Sequence, residues 1–435
     1  MKPVYKILFI WLAWALILIG YQGLVQARFQ PNRPDKALSW TPNETNANSN
    51  KGKVYLLDPF LNSQVAWDSE YYLSIATVGY DDPAVQGIRT NFNWGNPQYC
   101  VPGKPPECYS RNYAFFPFYP NVSRIVAAPF RALPLTPIAA STLASVLVSL
   151  LGTLGAMLAL YDLTRDELEE SGAMRAAFYL LIFPSSFFLA QVYTEGLFVG
   201  LAFGSLAFLK RRNWLLAGLL AAFAALTRAA GGLLFVPLIV TWALDVYKLI
   251  NYKLLNANTG SAETDQRKAI GRALFNLLCV FGPVFAYLAW NATLGDAFRI
   301  VEDLYFGRGF LFDQAVFKAS LEAWAGAYKS FASSNLQARA YYGVEFAAII
   351  IAVAACALTF KRYPLVSTFG LLVIVFSFFS GAAQGMHRYV LAAPSIFILL
   401  ARWGKNPVFD RSWTLISLLT MGLMATLFSF DFWAG

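Results

Sequence analysis

Apolar residues gather into runs able to cross a hydrocarbon core of about 30 Å near 5–27, 137–161, 173–191, 194–210, 213–227, 231–247, 272–294, 341–360, 364–380, 389–403 and 412–430. The pattern predicts eleven spanning helices, several of them short. Two long stretches interrupt it, 28–136 after the first run and 295–339 after the seventh. A further candidate, 114–133, carries three prolines and two arginines, which weaken it as a spanning helix.

The basic residues choose the orientation. With Lys2 and Lys6 inside and 114–133 left outside, 17 of the 34 Lys and Arg fall on inner loops, ten on 28–136 and five on 295–339. Only Arg228 and Arg388 then sit on short outer loops. Making 114–133 a span would put Lys210-Arg211-Arg212 and the basic loop 248–272 outside, against the positive-inside tendency. The expected topology therefore has the N-terminus inside and the C-terminus outside. The first run is too long for a cleavable signal and lacks a small-residue cleavage site, so it reads as a retained span.

Composition agrees with this class: 57% of the residues are hydrophobic and 14% charged, far from the soluble average. The net charge of +9 reads as topology rather than as nucleic-acid binding. The expectation is an all-α polytopic membrane protein, a single domain over 1–435, with 28–136 as a large first outer loop and 295–339 as a second. Segment 28–64 is rich in Pro and Asn and predicts a flexible loop. Cys279 and Cys356 lie within spans as packing residues; Cys100 and Cys108 share the outer loop, free or bridged.

On that loop, Trp67-Asp68-Ser69-Glu70-Tyr71-Tyr72 places two carboxylates two residues apart in an aromatic-rich stretch. A helix predicted from Ala66 to Gly79 aligns Trp67, Tyr71 and Ile75 as an apolar stripe able to lie in the membrane interface. Asp68 and Tyr72 share an adjacent face, and Glu70 points elsewhere. The bland alternative makes Asp68 a helix cap and Glu70 a solvated first-turn acid. Asp81-Asp82, next to Pro83, reads as a turn.

The blocks WDSEYYLSIATVGY, NYAFFPFYP, FPSSFFLAQVYTEGLF, LTRAAGG and MHRYVLAAPSIF, in this order, resemble the PIG-V type of mannosyltransferase, within the GT-C superfamily of membrane glycosyltransferases. The resemblance covers about 65–235 and 385–400. It implies a GT-C-like bundle with the catalytic acid and interfacial helices on the first outer loop, and a polyprenyl-phosphate sugar donor. The loop between Tyr80 and Arg111, with Trp94-Gly95-Asn96-Pro97, and the stretch 295–339 have no counterpart in it, and acceptor identity is expected to reside in such loops.

Sugar transfer from a lipid phosphate needs a base at the attacking hydroxyl and stabilisation of the departing phosphate. Asp68 is the candidate base for an inverting single displacement, with Glu70 as its catalytic companion. The acid-x-acid spacing could hold a divalent metal, but a donor without a diphosphate has less need of one, so no metal or other cofactor is expected. Arg228 and Arg388 are candidate phosphate ligands through their forked donors, joined by His387, the single histidine of the chain, and more weakly by Arg308. Their alternative is snorkelling or pairing with Glu195. Tyr72, Tyr193 and Glu195 are candidate substrate contacts.

The expected partners are a polyprenyl-phosphate sugar, a lipid or glycolipid acceptor and membrane lipids. Mannose is the expected sugar, and the expected site is extracytoplasmic or lumenal, with a bacterial plasma membrane favoured over endoplasmic reticulum. A same-superfamily transferase of another sugar, or one acting on a protein acceptor, is the competing reading. A lipid or sugar transporter would be polytopic too, but the sequence shows neither the paired repeats nor the broken midplane helices of that class.

Overall fold

The computed structural model describes residues 2–31, 34–45, 52–103, 107–255, 263–309 and 313–435. Positions 32–33 and 46–51 of the expected flexible loop, 256–262 of the basic loop and 310–312 of the second outer loop therefore lie outside the described residues.

The described chain is mostly helical, and every apolar run overlaps a helix. Five helices are by themselves long and apolar enough to cross a membrane: Pro3–Arg28, Pro137–Ile182, Ala229–Asn251, Leu336–Thr359 and Pro407–Ser429. A sixth span forms if Arg267–Val280 and Gly282–Leu294, bent by 44°, count as one. This is a multi-pass membrane protein. Glu195–Lys210, Trp214–Ala225, Pro364–Phe378 and Pro394–Trp403 have 16, 12, 15 and 10 residues, or roughly 15–24 Å of helix. Each is shorter than the hydrocarbon core because the α-helix gives way at one end to 3-10 turns and irregular backbone, within 186–194, 226–234 or 379–393.

Pro137–Ile182 contains two of the predicted spans. Glu169 breaks it with φ 59° and ψ 177°, and beyond that residue the chain folds back on itself. Ser149 Oγ donates to the Gln191 carbonyl (2.8 Å) and Thr153 Oγ1 to that of Leu189 (2.9 Å). A straight helix would hold residues so far apart in sequence about 50–60 Å from each other. The expected loop between the two runs thus narrows to a reversal centred on Glu169.

Charges collect at the reversal end of this hairpin, in the pairs Lys6–Glu170 (2.7 Å), Lys210–Asp166 (2.6 Å) and Arg402–Glu167 (3.5 Å). Gln22 lies 16 residues after Lys6 on the same helix, about 24 Å along it. It accepts from Gln64 (3.2 Å) and Gln191 (3.0 Å) at the other end of the bundle. The first outer loop is fastened at that second end.

Side-chain bonds hold the described residues 34–45 of the loop. Asp35 is buried and accepts from the backbone N–H groups of Ala37 and Trp433, both at 2.9 Å, and Thr41 and Thr45 close the turn around it. Segment 114–133 breaks into the short helices Arg111–Ala114, Phe118–Ala127 and Pro129–Ala132 and forms no spanning helix. A small antiparallel ribbon interrupts the all-α pattern, with Gly87–Ile88 pairing both Tyr99–Cys100 and Tyr109–Ser110. Gly87 is required there: a Cβ would lie 2.5 Å from Cys108 Sγ and 2.8 Å from the Tyr109 carbonyl. Cys100 and Cys108 are disulfide-bonded.

Candidate active site

The helix carrying the acids runs from Ser69 to Thr77, shorter than the expected 66–79. Ala66 to Asp68 form a turn instead, with Trp67 in the left-handed region at φ 53°. Rings of Trp40 and Trp433 hold Trp67 edge-on, at centroid distances of 5.8 and 5.2 Å. Residues 69–76 are buried on every side, so the stripe Trp67, Tyr71 and Ile75 does not lie open in the membrane interface. Tyr71 stacks on Phe115 at 4.5 Å and meets Phe306 of the second outer loop; these distant partners cover the face that the local pattern left free. At the helix C-terminus Arg124 donates to the carbonyls of Ala76 (2.9 Å) and Ile75, satisfying groups that a helix end leaves open. Asp82 fills the turn role expected of it, accepting from Ser74 Oγ (2.6 Å) and the Ala84 N–H (3.0 Å).

Asp68 takes the N-cap position, but its side chain makes no capping bond. Its backbone N–H donates to Tyr193 Oη (3.2 Å), and that hydroxyl donates to the Ala66 carbonyl (3.2 Å). Ser69 Oγ also donates to the Val192 carbonyl (3.1 Å), so the acid-bearing turn is laced to the unwound segment 191–194. The freed carboxylate meets Arg388, whose Nη1 lies 3.3 Å from Asp68 Oδ2. The Asp68 side chain remains 26% exposed, against 4% for Arg388 and 3% for Glu195. It is the member of this group that reaches solvent.

Around that pair the other charges close up. Arg388 Nε lies 3.3 Å from Glu195 Oε1, and Arg228 Nη1 pairs with the same oxygen. Glu195 opens the helix Glu195–Lys210, where the dipole favours an acid. The guanidinium groups of Arg228, Arg388 and Arg308 stand 4.9, 5.1 and 5.8 Å from the ring centre of Tyr389, within cation–π range. Arg388 Nη2 also donates to Tyr389 Oη (3.3 Å). Three arginines from three separate segments thus face one tyrosine. Among the described residues, buried Glu195 Oε2 and Thr194 Oγ1 have no hydrogen-bond partner, which marks the centre as polar beyond its internal needs.

Tyr72 and Tyr193 belong to the wall of this centre. Tyr72 packs against Phe115, Tyr119 and Tyr193 at 5.1, 5.3 and 6.2 Å, and the Tyr193 ring lies 5.2 Å from the Arg388 guanidinium. Both rings are buried.

Glu70 and His387 fall outside the cluster. Glu70 is buried and pairs with Arg111 at 3.4 Å, so the two acids of the acid-x-acid motif face different cations. Burial raises the Glu70 carboxyl above its ordinary pKa, and Arg111 opposes that shift. Arg111 donates in addition to Tyr305 Oη (2.7 Å) and the Gln86 carbonyl (2.8 Å); Glu70 thereby ties the acid helix to both outer loops. The His387 ring turns away from Arg388. Its Nδ1 lies 3.1 Å from Glu345 Oε2 and its Nε2 2.5 Å from the Ala434 carbonyl, so the ring faces Glu345 and the segment around Ala434. Among the described residues no group of three or more His, Cys, Asp or Glu is arranged to hold a metal ion.

Sequence reasoning missed Tyr389, Glu302 and Glu345. Glu302 is half-buried on the helix Ala297–Leu304. Burial pushes its carboxyl up to about 7, with the Asp68 carboxylate adding to the shift and Arg308 opposing it. Glu345 is fully buried and interrupts the apolar run 341–360. An ionisable residue inside such a run is a functional signal in itself.

A family model described as mannosyltransferase (PIG-V) matches residues 93–291, and the resemblance read from the motifs is borne out over this middle part of the chain. Asp68, Arg308 and Arg388 lie outside the matched range. The mouse protein GPI alpha-1,6-mannosyltransferase 2 is 30% identical over 179 residues, 40% of this chain and 31% of that protein. The chain thus spans about a third of the length of that relative. Among solved structures, ArnT from Cupriavidus metallidurans bound to undecaprenyl phosphate aligns with 87% of this chain and 75% of its own, at 13% identity and a TM-score of 0.40. The Archaeoglobus fulgidus oligosaccharyltransferase tethered to an acceptor peptide aligns with 96% of this chain and 55% of its own, at 13% identity and a TM-score of 0.38.

Proposed function

We propose that this chain is a GT-C-type membrane glycosyltransferase, moving mannose from a polyprenyl-phosphate donor to a hydroxyl of a lipid or glycolipid acceptor. The observation that carries the reading is the solvent-reaching Asp68 carboxylate held against buried Arg388, with Arg228 and Arg308 facing the same tyrosine as Arg388. The PIG-V match supports the sugar class.

In the reaction, Asp68 takes the proton of the acceptor hydroxyl as its oxygen attacks the anomeric carbon from the face opposite the phosphate. The bond from that carbon to the phosphate oxygen breaks, and the electron pair leaves on the polyprenyl phosphate. Arg388, Arg228 and Arg308 receive the negative charge, a role for which forked guanidinium donors suit phosphate. No metal or other cofactor is assigned a part. In the resting arrangement Asp68 is spent on Arg388 (3.3 Å). A donor phosphate that claims Arg388 releases Asp68 to act as base, so donor binding arms the catalyst. Tyr72 and Tyr193 wall the sugar, and Glu195 holds the two arginines in register. The site opens on the face away from the Lys6–Glu170 belt, which under the positive-inside rule is extracytoplasmic, in a bacterial plasma membrane.

The test is incubation of the purified protein in nanodiscs with a panel of radiolabelled polyprenyl-phosphate sugars, following transfer to lipid and protein acceptors and release of free sugar. Mannose transfer or hydrolysis is expected. Asp68→Asn should lower turnover by about 10³-fold or more with unchanged thermal stability. Turnover within tenfold of wild type would remove Asp68 from the role of base.

A further inference from the structure

The disulfide-bonded ribbon of the first outer loop carries a feature that the proposed chemistry does not use. It exposes two large aromatic rings, Trp94 at its tip, 57% accessible, and Tyr99 on the strand Tyr99–Cys100, 40% accessible. They are not loose. Phe92 lies 5.3 Å from Trp94, 5.8 Å from Tyr99 and 5.6 Å from Tyr305, and Trp94 stands 4.9 Å from Tyr305. Strand pairing, the Cys100–Cys108 bond and the close packing at Gly87 hold the base of the ribbon. The platform is also wired to the acids: Tyr305 Oη accepts from Arg111 (2.7 Å), Arg111 pairs with Glu70 (3.4 Å), and Glu70 lies two residues from Asp68.

The polar residues around the rings identify the ligand chemistry. Asn91, Asn93, Asn96 and Gln98 are exposed beside Trp94, and Arg89 is the one charged residue of 89–99. Asn93 spends its side-chain oxygen on the Gly95 N–H (2.8 Å), which leaves its amide hydrogens for another acceptor. A tip that inserts into lipid pairs its aromatics with aliphatic residues and several cations. Here Trp94 stands among neutral carboxamides, each able to donate and accept at once, while Tyr99 lies 5.9 Å from the Arg111 guanidinium and two residues from exposed Val101. That combination suits a neutral sugar ring: its C–H face lies on the aromatic surface, and its hydroxyls bond to the amides.

We infer that the ribbon tip is a subsite for a neutral pyranose of the acceptor, with Trp94 and Tyr99 as stacking surfaces and Asn93 and Asn96 as hydroxyl ligands. This deepens the proposed function, since it assigns the acceptor a glycan that extends beyond the attacked hydroxyl.

Two measurements test it. The first uses saturation-transfer NMR and titration of the full-length protein in nanodiscs with α-mannobiose. Wild type should bind, and Trp94→Ala should weaken binding about tenfold, with Trp94→Phe restoring most of it. The second measures donor hydrolysis without acceptor, which should be the same in Trp94→Ala and wild type. Equal mannobiose affinity in wild type and Trp94→Ala, or no binding to wild type, overturns the subsite. So does quenching by brominated acyl chains that Trp94→Ala abolishes, because it would place the ring in the bilayer. Absence of hydrolysis and transfer in wild type would count against the proposed chemistry, while the binding result would still judge the subsite.

Discussion

Arg388 and Tyr389 are aimed by a buried carboxylate that touches neither. Glu345 Oε1 accepts from Tyr341 Oη (2.5 Å) and the Gly385 N–H (2.5 Å), and Oε2 accepts from the His387 N–H (2.9 Å) and lies 3.1 Å from His387 Nδ1. These contacts pin the turn that begins at Gly385, itself at φ 77°, and the next two residues after His387 are the arginine and tyrosine of the site. Glu345→Gln keeps one acceptor oxygen. If it faces Gly385 and Tyr341, the new NH₂ confronts the His387 N–H, and that donor loses its partner. Hydrogen bonds to a charged group are worth about 1.5–3 kcal/mol each, and a stranded buried donor costs about as much again. The pinned turn should therefore weaken by roughly 3 kcal/mol, or about 100-fold in its population. The assay is donor-dependent turnover in nanodiscs, well below the melting temperature. The donor kcat/KM should fall about 100-fold, carried mainly by KM because Arg388 meets the phosphate, and Glu345→Asp should recover part of it. A donor kcat/KM within twofold of wild type for Glu345→Gln would refute the clamp.

Three further outcomes follow from the same geometry. Arg388→Lys cannot serve Asp68, Glu195 and Tyr389 together, all now at 3.3 Å, so donor affinity should drop about 10- to 100-fold; unchanged affinity in a donor titration counts against the fork. Glu302, with its carboxyl pushed up to about 7, is neutral below that pH and anionic above it, where it competes with phosphate for Arg308. The donor KM should therefore rise as pH passes upward through 7, and Glu302→Gln should flatten that limb. The folded state keeps this proton longer than the unfolded chain, so the group's contribution to stability declines from about pH 4.5 to about 7. Trp67→Gly should melt above Trp67→Ala, because both lose the rings but alanine keeps the cost of φ 53°, about 1–2 kcal/mol; equal melting temperatures would place no strain beside Asp68.

What was legible in the sequence divides by how far each contact reaches along the chain. Apolar runs landed on helices because a bilayer leaves the backbone few other ways to satisfy itself, and Arg228 and Arg388 stood out because nothing in a topology explains them. Hydropathy could not see that helix continues through the polar residues on both sides of Glu169, since helices extend past the bilayer. The stretch 28–64 reads as a flexible loop because what holds its described residues near Asp35 and Thr41 is side-chain bonds, not apolar periodicity. The acid helix looked interfacial because its covering residues, Phe115 and Phe306, are remote in sequence. His387 looked like a partner of Arg388 because they are neighbours, yet on a helical turn adjacent residues point to different sides. The same rule explains Asp68 and Glu70, two residues apart and committed to different arginines. Tyr193, Glu195, Arg228 and Arg388 all lie on or beside unwound backbone, and three short apolar helices, Trp214–Ala225, Pro364–Phe378 and Pro394–Trp403, border those breaks. Irregular backbone at membrane depth persists only where protein or a polar cavity satisfies it. The short helices are therefore a consequence of the charged centre, and a hydropathy plot records them merely as weak spans.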